Sequence, residues 1–195
     1  MPMLSEVAGI YAGYAVQRRG GTEDPEGNAL LVRGVNVSPR NDIDWSEVIR
    51  IRIPEKKARR FLEPGDVLVK TIGLVNTAVW VGKVPDVVGA VPHQHFLHIR
   101  LNDPGWDPAF LAVFLNSDKV QAHFRREATG ATLAVLRRRV LEEFELPELS
   151  IEVQRQWVLE WQRRCDAIER LEAELKELKS NFNIGLDGIW RAESV

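Results

Sequence analysis

Clustered basic side chains are the residues of this sequence best suited to binding a ligand. Each cluster stands beside a turn or a predicted helix end, where several cations can point outward together. Arginine and lysine neutralise phosphate groups, so such clusters are typical of surfaces that contact a polyanion. The clusters are Arg18-Arg19, Lys56-Lys57 with Arg59-Arg60, Arg125-Arg126 and Arg137-Arg138-Arg139.

The charge of the chain is unevenly distributed. Residues 1–140 hold 19 Lys and Arg against 15 Asp and Glu, a net +4, whereas residues 141–195 hold 7 against 13, a net −6. The formal total of −2 does not exclude nucleic acid, because a local basic face binds polyanions whatever the total. Charge and turn placement predict DNA contacts by Arg18, Arg19, Lys56, Lys57, Lys70, Thr71, Gly73, Arg125, Arg126, Arg137 and Arg138.

Signatures of catalysis are missing from the sequence. It contains no G-x-G-x-x-G at a strand-to-helix turn, no phosphate-binding G-x-x-x-x-G-K-[ST] and no G-x-S-x-G. His93, His95 and His98 form the one metal-like cluster, for which hydrogen bonds to the backbone are the favoured interpretation. A magnesium-dependent nuclease using Asp44, Glu55 and Lys57 is a minor alternative. We therefore predict no catalytic residue, no metal and no cofactor in this chain.

Short apolar runs dominate the first 106 residues and predict the scaffold for these side chains. They are rich in Val and Ile and are separated by Gly and Pro, which is typical of strands and turns. Asp107-Pro108 predicts a helix start, because aspartate caps helices and proline suits the first position. A second helix is predicted at 120–126. The strands are predicted at 29–37, 48–53, 67–72, 78–84 and 95–101.

A long helix is predicted from Ser150 onward, because apolar residues recur there at helical spacing for about thirty residues. The stripe has the 3,4 spacing of a coiled-coil seam, with one stammer at Leu171. A small β-domain cannot cover such a stripe, so the helix requires a partner helix, which we expect to come from a second copy or another protein. The predicted dimerisation residues are Val158, Trp161, Cys165, Ile168, Leu171, Leu175, Leu178 and Phe182.

The chain length of 195 residues suits one domain and an appendage. We predict a mixed α/β fold: a small twisted β-sheet domain with flanking helices over 1–149, a long helix over 150–182 and a tail over 183–195. No membrane span or secretion signal is predicted. The single cysteine, Cys165, is expected to be a small buried hydrophobe, and a reducing, soluble compartment is predicted.

An ordered set of motifs resembles a known family, the DNA specificity subunits of type I restriction-modification systems. Two departures stand out: Pro147-Glu148 replaces a usual double proline, and Val153 replaces a usual glutamate. The resemblance covers about residues 4–180. It is carried by Leu4-Ser5-Glu6-Val7-Ala8 through Gly13, Leu62-Glu63-Pro64-Gly65-Asp66-Val67-Leu68 with Gly73, Leu115-Asn116-Ser117, Thr129-Gly130-Ala131-Thr132, Leu146-Pro147-Glu148-Leu149 and Gln154.

The resemblance implies half of such a subunit, since the family typically carries two target-recognition domains and two long helices. It implies a non-catalytic reader of double-stranded DNA in the prokaryotic cytoplasm. Two copies joined through their helices would read a bipartite, palindromic site. A separate adenine methyltransferase subunit would bind S-adenosylmethionine, and a restriction subunit is a further possible partner. The rival functions are a dimeric DNA-binding regulator and an anti-restriction protein that mimics DNA.

Overall fold

The Val- and Ile-rich runs form short strands in a computed structural model that describes residues 1–16, 23–38, 42–54, 60–130 and 134–192. The first sheet contains β1 (Ala8–Ala12), β7 (Phe96–Leu101), β4 (Val67–Lys70) and β5 (Ala78–Trp80), in that order. All of its neighbouring strands are antiparallel. Val67, Leu68, Val69 and Ile99 are fully buried, so β4 and β7 form its core.

The second sheet has the order β3 (Ile49–Ile51), β2 (Ala29–Val32) and β6 (Gly89–Pro92). Strand β2 is antiparallel to β3 and parallel to β6. Burial alternates on and just after β3, where Ile51 and Ile53 are buried and Arg52 is exposed. Arg52 Nε donates to Asp24 Oδ2 over 2.8 Å, so this arginine is held by a local ion pair.

The predicted helices after residue 106 are confirmed. Helix α2 (Pro108–Leu115) begins where expected, and the Asp107 carboxylate accepts hydrogen bonds from the backbone N–H groups of Ala109 and Phe110. These bonds satisfy two of the donors that a helix leaves unpaired at its start. Helix α3 (Asp118–Glu127) follows after a short turn, and α4 (Arg138–Glu142) after residues 134–137.

The beginning of the domain is attached to its end. A short helix, α1 (Leu4–Val7), buries Leu4 and Val7. Leu4 N donates to Phe144 O over 2.8 Å, and Leu146 N donates to Pro2 O over 2.9 Å. These main-chain bonds place the segment around Leu146 against the N-terminus just before the last helix begins.

The last helix, α5 (Ile151–Ala192), is 42 residues long and continues ten residues past the predicted end at Phe182. The chain forms two compact units, Met1–Arg155 and Gln156–Val195. Within the first unit, Gln154 is fully buried near the start of α5. Its amide accepts from Asp107 N and donates to Gly105 O and Leu149 O, over 2.9 to 3.0 Å. This glutamine therefore ties the first turn of α5 to the turn before α2.

The strands differ from the predicted runs in two ways. The strands are shorter than the runs, and β1 and β6 were missed, because their small residues and Gly9, Gly89 and Pro92 carry little strand signal. The predicted single sheet is corrected to two, since partner choice among strands depends on contacts distant in sequence. Among the described residues no helix is both long and apolar enough to cross a bilayer.

A buried ion cluster joins β7 to the turn before β4. In that turn Gly65 adopts a φ of +96°, a conformation that favours glycine. Arg100 Nε and Nη2 donate to the two carboxylate oxygens of Asp66, each over 2.8 Å. His98 Nε2 lies 2.8 Å from Asp66 Oδ2, and Glu63 N donates to the same oxygen over 2.7 Å. Asp66 and His98 are almost fully buried.

These contacts set the charge state of Asp66. Burial by itself raises the pKa of its carboxyl, but the hydrogen bonds from Arg100 and the Glu63 backbone and the close approach of His98 outweigh that effect and lower the pKa from 3.8 to about 2. Because the folded pKa is below the unfolded one, the ionised carboxylate stabilises the fold above pH 4. This stabilisation is lost as the pH falls toward 2.

Replacing Asp66 by Asn should lower the free energy of unfolding at pH 7 by about 3 kcal/mol, because Arg100 loses its buried partner. The deficit relative to the wild type should shrink by about 2 kcal/mol between pH 4 and pH 2, where the wild-type carboxyl itself becomes protonated. Urea unfolding across this range measures both effects. Glu63→Gln is the control and should cost less than about 1 kcal/mol, since that carboxylate is mostly exposed. A deficit independent of pH would contradict the assignment.

Candidate nucleic-acid interface

Several loops from both sheets meet at one surface. His93 N donates to Val32 O, and Thr71 N donates to His95 O, both over 2.8 Å. Leu136 N donates to Thr71 O over 2.8 Å, and a Cβ placed on Gly34 would lie 3.9 Å from Lys70 Cε. We call this group of segments the basic loop surface; it consists of residues 33–36, 70–77, 93–95, 129–130 and 134–137.

The basic loop surface carries charge of one sign. Its segments contain Arg33, Lys70, Arg137, His93 and His95, and they contain no Asp or Glu. A group of neighbouring segments without acidic residues attracts a polyanion. Beside the surface, Glu127 and Glu143 line a recess together with Arg137. The arrangement therefore suits phosphate contact, which the basic clusters predicted from sequence.

His93 and His95 lie edge to face, with ring centroids 4.3 Å apart. The pKa of His93 is lowered by burial, by the neighbouring His95 and by the charge of Arg33. A cation placed beside the two rings disfavours a bound metal ion. Among the described residues no three His, Cys, Asp or Glu side chains lie close enough to hold a metal. His98, the third histidine of the predicted cluster, belongs instead to the buried contact with Asp66.

Four of the predicted DNA-contacting residues lie on the basic loop surface: Lys70, Thr71, Gly73 and Arg137. Thr71 is buried and acts on the backbone, since its Oγ1 donates to His95 O over 3.0 Å. Gly73 adopts a φ of +110° and its N–H donates to Ala134 O over 3.2 Å. Lys70 is half-buried and Arg137 is exposed. Sequence reasoning missed Arg33 and assigned His93 only as a metal candidate, because neither stands in a basic run.

A neighbouring recess of about 460 Å³ beside α3 and α4 is lined by Arg137 and Arg139 together with Glu127 and Glu143. The remaining predicted arginines extend from these two helices. Arg125 and Arg126 are exposed in the last turn of α3, whose next segment, Thr129, pairs with Val135. Arg138 donates to Glu142 over 2.7 Å on α4, so part of its charge is already neutralised. Arg139 makes the same contact with Glu143.

Some predicted residues fall outside the described parts of the chain. These are Arg18, Arg19, Lys56 and Lys57, and also Glu55 of the nuclease alternative. The third residue of that alternative, Asp44, is described: its carboxylate accepts hydrogen bonds from Ser46 N and Ser46 Oγ at the start of the 3-10 helix Trp45–Glu47. These two bonds lower the pKa of the exposed Asp44 carboxyl. This gives Asp44 a capping role.

Buried and half-buried amide side chains support the longest loop of the surface. Gln121 on α3 accepts from Asn76 N and donates to Asn76 O, each over 3.0 Å, and it also donates to Leu115 O over 2.8 Å. Asn116 makes the same two-way contact with the backbone of Ala78. Asn76 Nδ2 donates to Lys70 O over 2.9 Å, which closes the loop at its base. The loop between β4 and β5 is therefore held by α2 and α3 as well as by its own strands.

The second candidate site is an exposed apolar stripe on α5. Trp157, Ile168, Leu171, Leu175, Leu178 and Phe182 are each more than half exposed. Trp161 and the exposed Arg164 lie on the same face between them, so the steps from Trp157 to Phe182 alternate four and three without a break. The predicted stammer at Leu171 is therefore not required.

Two predicted members of the stripe differ from the others in exposure or position. Val158 is buried, one turn after the buried Gln154, whereas the adjacent Trp157 is exposed. Cys165 is partly buried and stands one residue beyond Arg164, which occupies the repeating position. The sequence pattern selected Val158 and Cys165 because both are apolar, whereas their exposure depends on the tertiary structure.

The fold is that of solved specificity-subunit structures from type I restriction-modification systems. One of them concerns the complex assembly and conformational transition of the type I R-M system. It matches with a TM-score of 0.61 and 20% identity, over 88% of this chain and 40% of the matched chain. The HsdS subunit from Thermoanaerobacter tengcongensis matches with a TM-score of 0.59 and 20% identity over 90% and 41%.

The S subunit from M. genitalium matches with a TM-score of 0.56 and 17% identity over 88% of this chain and 40% of that chain. At these identities the likeness establishes the fold, and the predicted mixed α/β domain with a long C-terminal helix is confirmed. The chain spans about 40% of the length of these structures. No family model and no curated protein matches the sequence.

Replacing Gln121 by Leu should lower the free energy of unfolding by about 2 to 3 kcal/mol, because backbone groups of Asn76 and Leu115 lose buried partners. Urea unfolding measures this change. Gln94→Leu is a matched control: Gln94 is exposed, so its replacement should change stability by less than about 0.5 kcal/mol. Equal effects of the two variants would contradict a bracing role for Gln121.

Proposed function

We propose that this chain is a non-catalytic, sequence-specific DNA recognition subunit that directs a partner DNA adenine methyltransferase to its target. The single observation that carries this proposal is the basic loop surface on a fold shared with type I specificity subunits. The shared fold supports the proposed class of protein, and the charge of the surface supports DNA binding there.

The charge and geometry of the surface support DNA binding. Cations on neighbouring loops can contact successive phosphates, which position a protein on a duplex, while loop side chains between them read base edges. Lys70 and Arg137 border the loops that Thr71 and Leu136 join. Arg125 and Arg126 extend the cationic surface along α3, and Arg18, Arg19, Lys56, Lys57 and Arg138 remain predicted contacts.

The stripe on α5 supports a homodimer. Exposed leucines and aromatic side chains in a heptad pattern gain stability by packing against a second helix. A second copy supplies a stripe of the same composition, and a two-fold dimer places two recognition domains at a fixed separation, as a bipartite site requires. In this proposal two copies of the chain together supply the two recognition domains.

Catalysis is assigned to the partner in this proposal. The methyltransferase would bind S-adenosylmethionine and modify the base, and a restriction subunit would join the same assembly. One of the similar structures concerns complex assembly of a type I R-M system, which is the context proposed for this chain. A purified chain that cleaves plasmid with Mg²⁺, and loses this activity in Glu55→Gln, would instead support the nuclease alternative.

Removing phosphate-binding arginines should reduce the salt dependence of DNA binding. Arg137→Ala and the double variant Arg125→Ala, Arg126→Ala should each weaken binding and lower the slope of log K against log salt by about 1 for each arginine that binds a phosphate. Fluorescence anisotropy with a duplex at several salt concentrations measures the slope. Arg163→Ala, on an exposed face of α5 outside the stripe, should leave it unchanged. An unaltered slope would show that the tested arginine does not bind phosphate.

A charge placed in the stripe should separate the dimer. Leu175→Glu places a carboxylate in an apolar seam, so light scattering should show the 22.1 kDa chain as a monomer, against a dimer for the wild type. Leu159→Glu is the matched control, since Leu159 is similarly exposed but lies on the opposite face of α5. A wild-type monomer, or a dimer in Leu175→Glu, would contradict the proposed seam.

A further inference from the structure

Two consecutive apolar side chains stand in solvent on the basic loop surface. Leu74 is 78% exposed and Val75 is 53% exposed. Val135 is exposed on the adjoining segment, and Val35 is exposed beside Gly34, close to Lys70. Single apolar residues are common on protein surfaces, but these four stand on neighbouring segments of one surface, and we call them the apolar patch. Phosphate contact does not explain this patch, because Leu and Val side chains donate no hydrogen bonds.

The loop that carries Leu74 and Val75 is fixed on both sides. Before the pair, Gly73 N donates to Ala134 O. After the pair, both backbone groups of Asn76 bond to the Gln121 amide. The base of the loop is closed by Lys70 N, which donates to Thr77 O over 2.9 Å. A braced loop presents its side chains without the entropy cost of ordering on binding, which is how a recognition element gains affinity.

The charges around the patch indicate which kind of ligand it binds. The segments of the basic loop surface carry three Lys and Arg residues and two histidines with no carboxylate, so the ligand is a polyanion that also offers apolar groups. Double-stranded DNA meets both conditions: phosphates line its grooves, and the 5-methyl groups of thymine are the apolar groups of the major groove. Leu and Val side chains can contact these methyl groups, which cytosine lacks.

We propose that Leu74 and Val75 are specificity-determining residues that contact thymine methyl groups in the major groove, while Lys70 and Arg137 contact phosphates beside them. This inference rests on the proposed DNA-recognition function and names the part of the chain that reads bases. The two classes of contact have different signatures. Loss of a methyl contact weakens binding to the target alone, whereas loss of a phosphate contact weakens binding to every duplex.

The test uses the full chain together with the methyltransferase that copurifies with it, or the full chain alone if none does. A random duplex pool first selects the preferred site of the wild type. Binding is then measured for the wild type, Leu74→Ala, Val75→Ala and Val87→Ala on the selected site, on a scrambled duplex and on the selected site with deoxyuridine replacing thymine. Val87→Ala is the matched control, because Val87 is 70% exposed but lies outside the basic loop surface.

The expected result is a loss of about tenfold in affinity for the selected site in Leu74→Ala, with a smaller loss in Val75→Ala. Binding to the scrambled duplex and the salt slope should stay at the wild-type values, and Val87→Ala should match the wild type throughout. Deoxyuridine should weaken binding by the wild type and produce little further loss in Leu74→Ala, because the same contact is removed from either side. Unchanged thermal unfolding of the variants confirms that the fold is intact.

Several results would overturn the inference. These are wild-type binding that deoxyuridine leaves unchanged, wild-type selectivity retained in Leu74→Ala, and additive effects of deoxyuridine and the substitution. Weaker association of the variant with the methyltransferase at unchanged DNA selectivity would assign the patch to a protein interface instead. A wild type that selects no sequence would overturn the proposed function itself, so failure of the function and failure of this inference are distinguishable.

Discussion

The domain depends on hydrogen bonds between buried amide side chains and the backbone of its loops. Its strands are three to six residues long, so much of the chain is irregular. Where irregular backbone is buried, its N–H and C=O groups need hydrogen-bond partners that the sheets do not supply. Gln121 and Asn116 supply these partners for the segment from Asn76 to Ala78, and Gln154 supplies them between Gly105 and Leu149. Each amide both donates and accepts, which fixes the orientation of the segment it holds.

This bracing explains how a domain with two small sheets can hold a surface built of loops. The basic loop surface receives segments from the ends of both sheets, and α3 supports it from behind through Gln121. On the other side of β4, Asp66 and Arg100 join the turn before the strand to β7. Strand β4 is therefore fixed at both ends, and the loop that leaves it starts from a defined position.

The long helix shows what a sequence pattern cannot predict, namely which of its apolar residues are exposed. Periodicity correctly indicated that an apolar stripe runs along α5, and Ile168, Leu171, Leu175, Leu178 and Phe182 are exposed as a partner surface requires. The pattern could not separate Val158 from Trp157, since both are apolar and adjacent, yet the first is buried and the second exposed. The proposed seam thereby gains Trp157 and a regular heptad, with the charged Arg164 at one of its positions. A charged residue in a seam restricts the registers in which two helices can pair.

Local chemistry was enough to predict several features of this protein. Asp107-Pro108 predicted the start of α2, the Val- and Ile-rich runs predicted five of the strands, and the spacing of the apolar residues predicted α5. Each of these signals depends on residues that are close together in sequence. The division into two sheets, the strands β1 and β6, and the meeting of Arg33, Lys70, His93 and Arg137 were decided only by the tertiary structure. These features arise from contacts between residues far apart in sequence, and a single sequence does not state which segments will be neighbours.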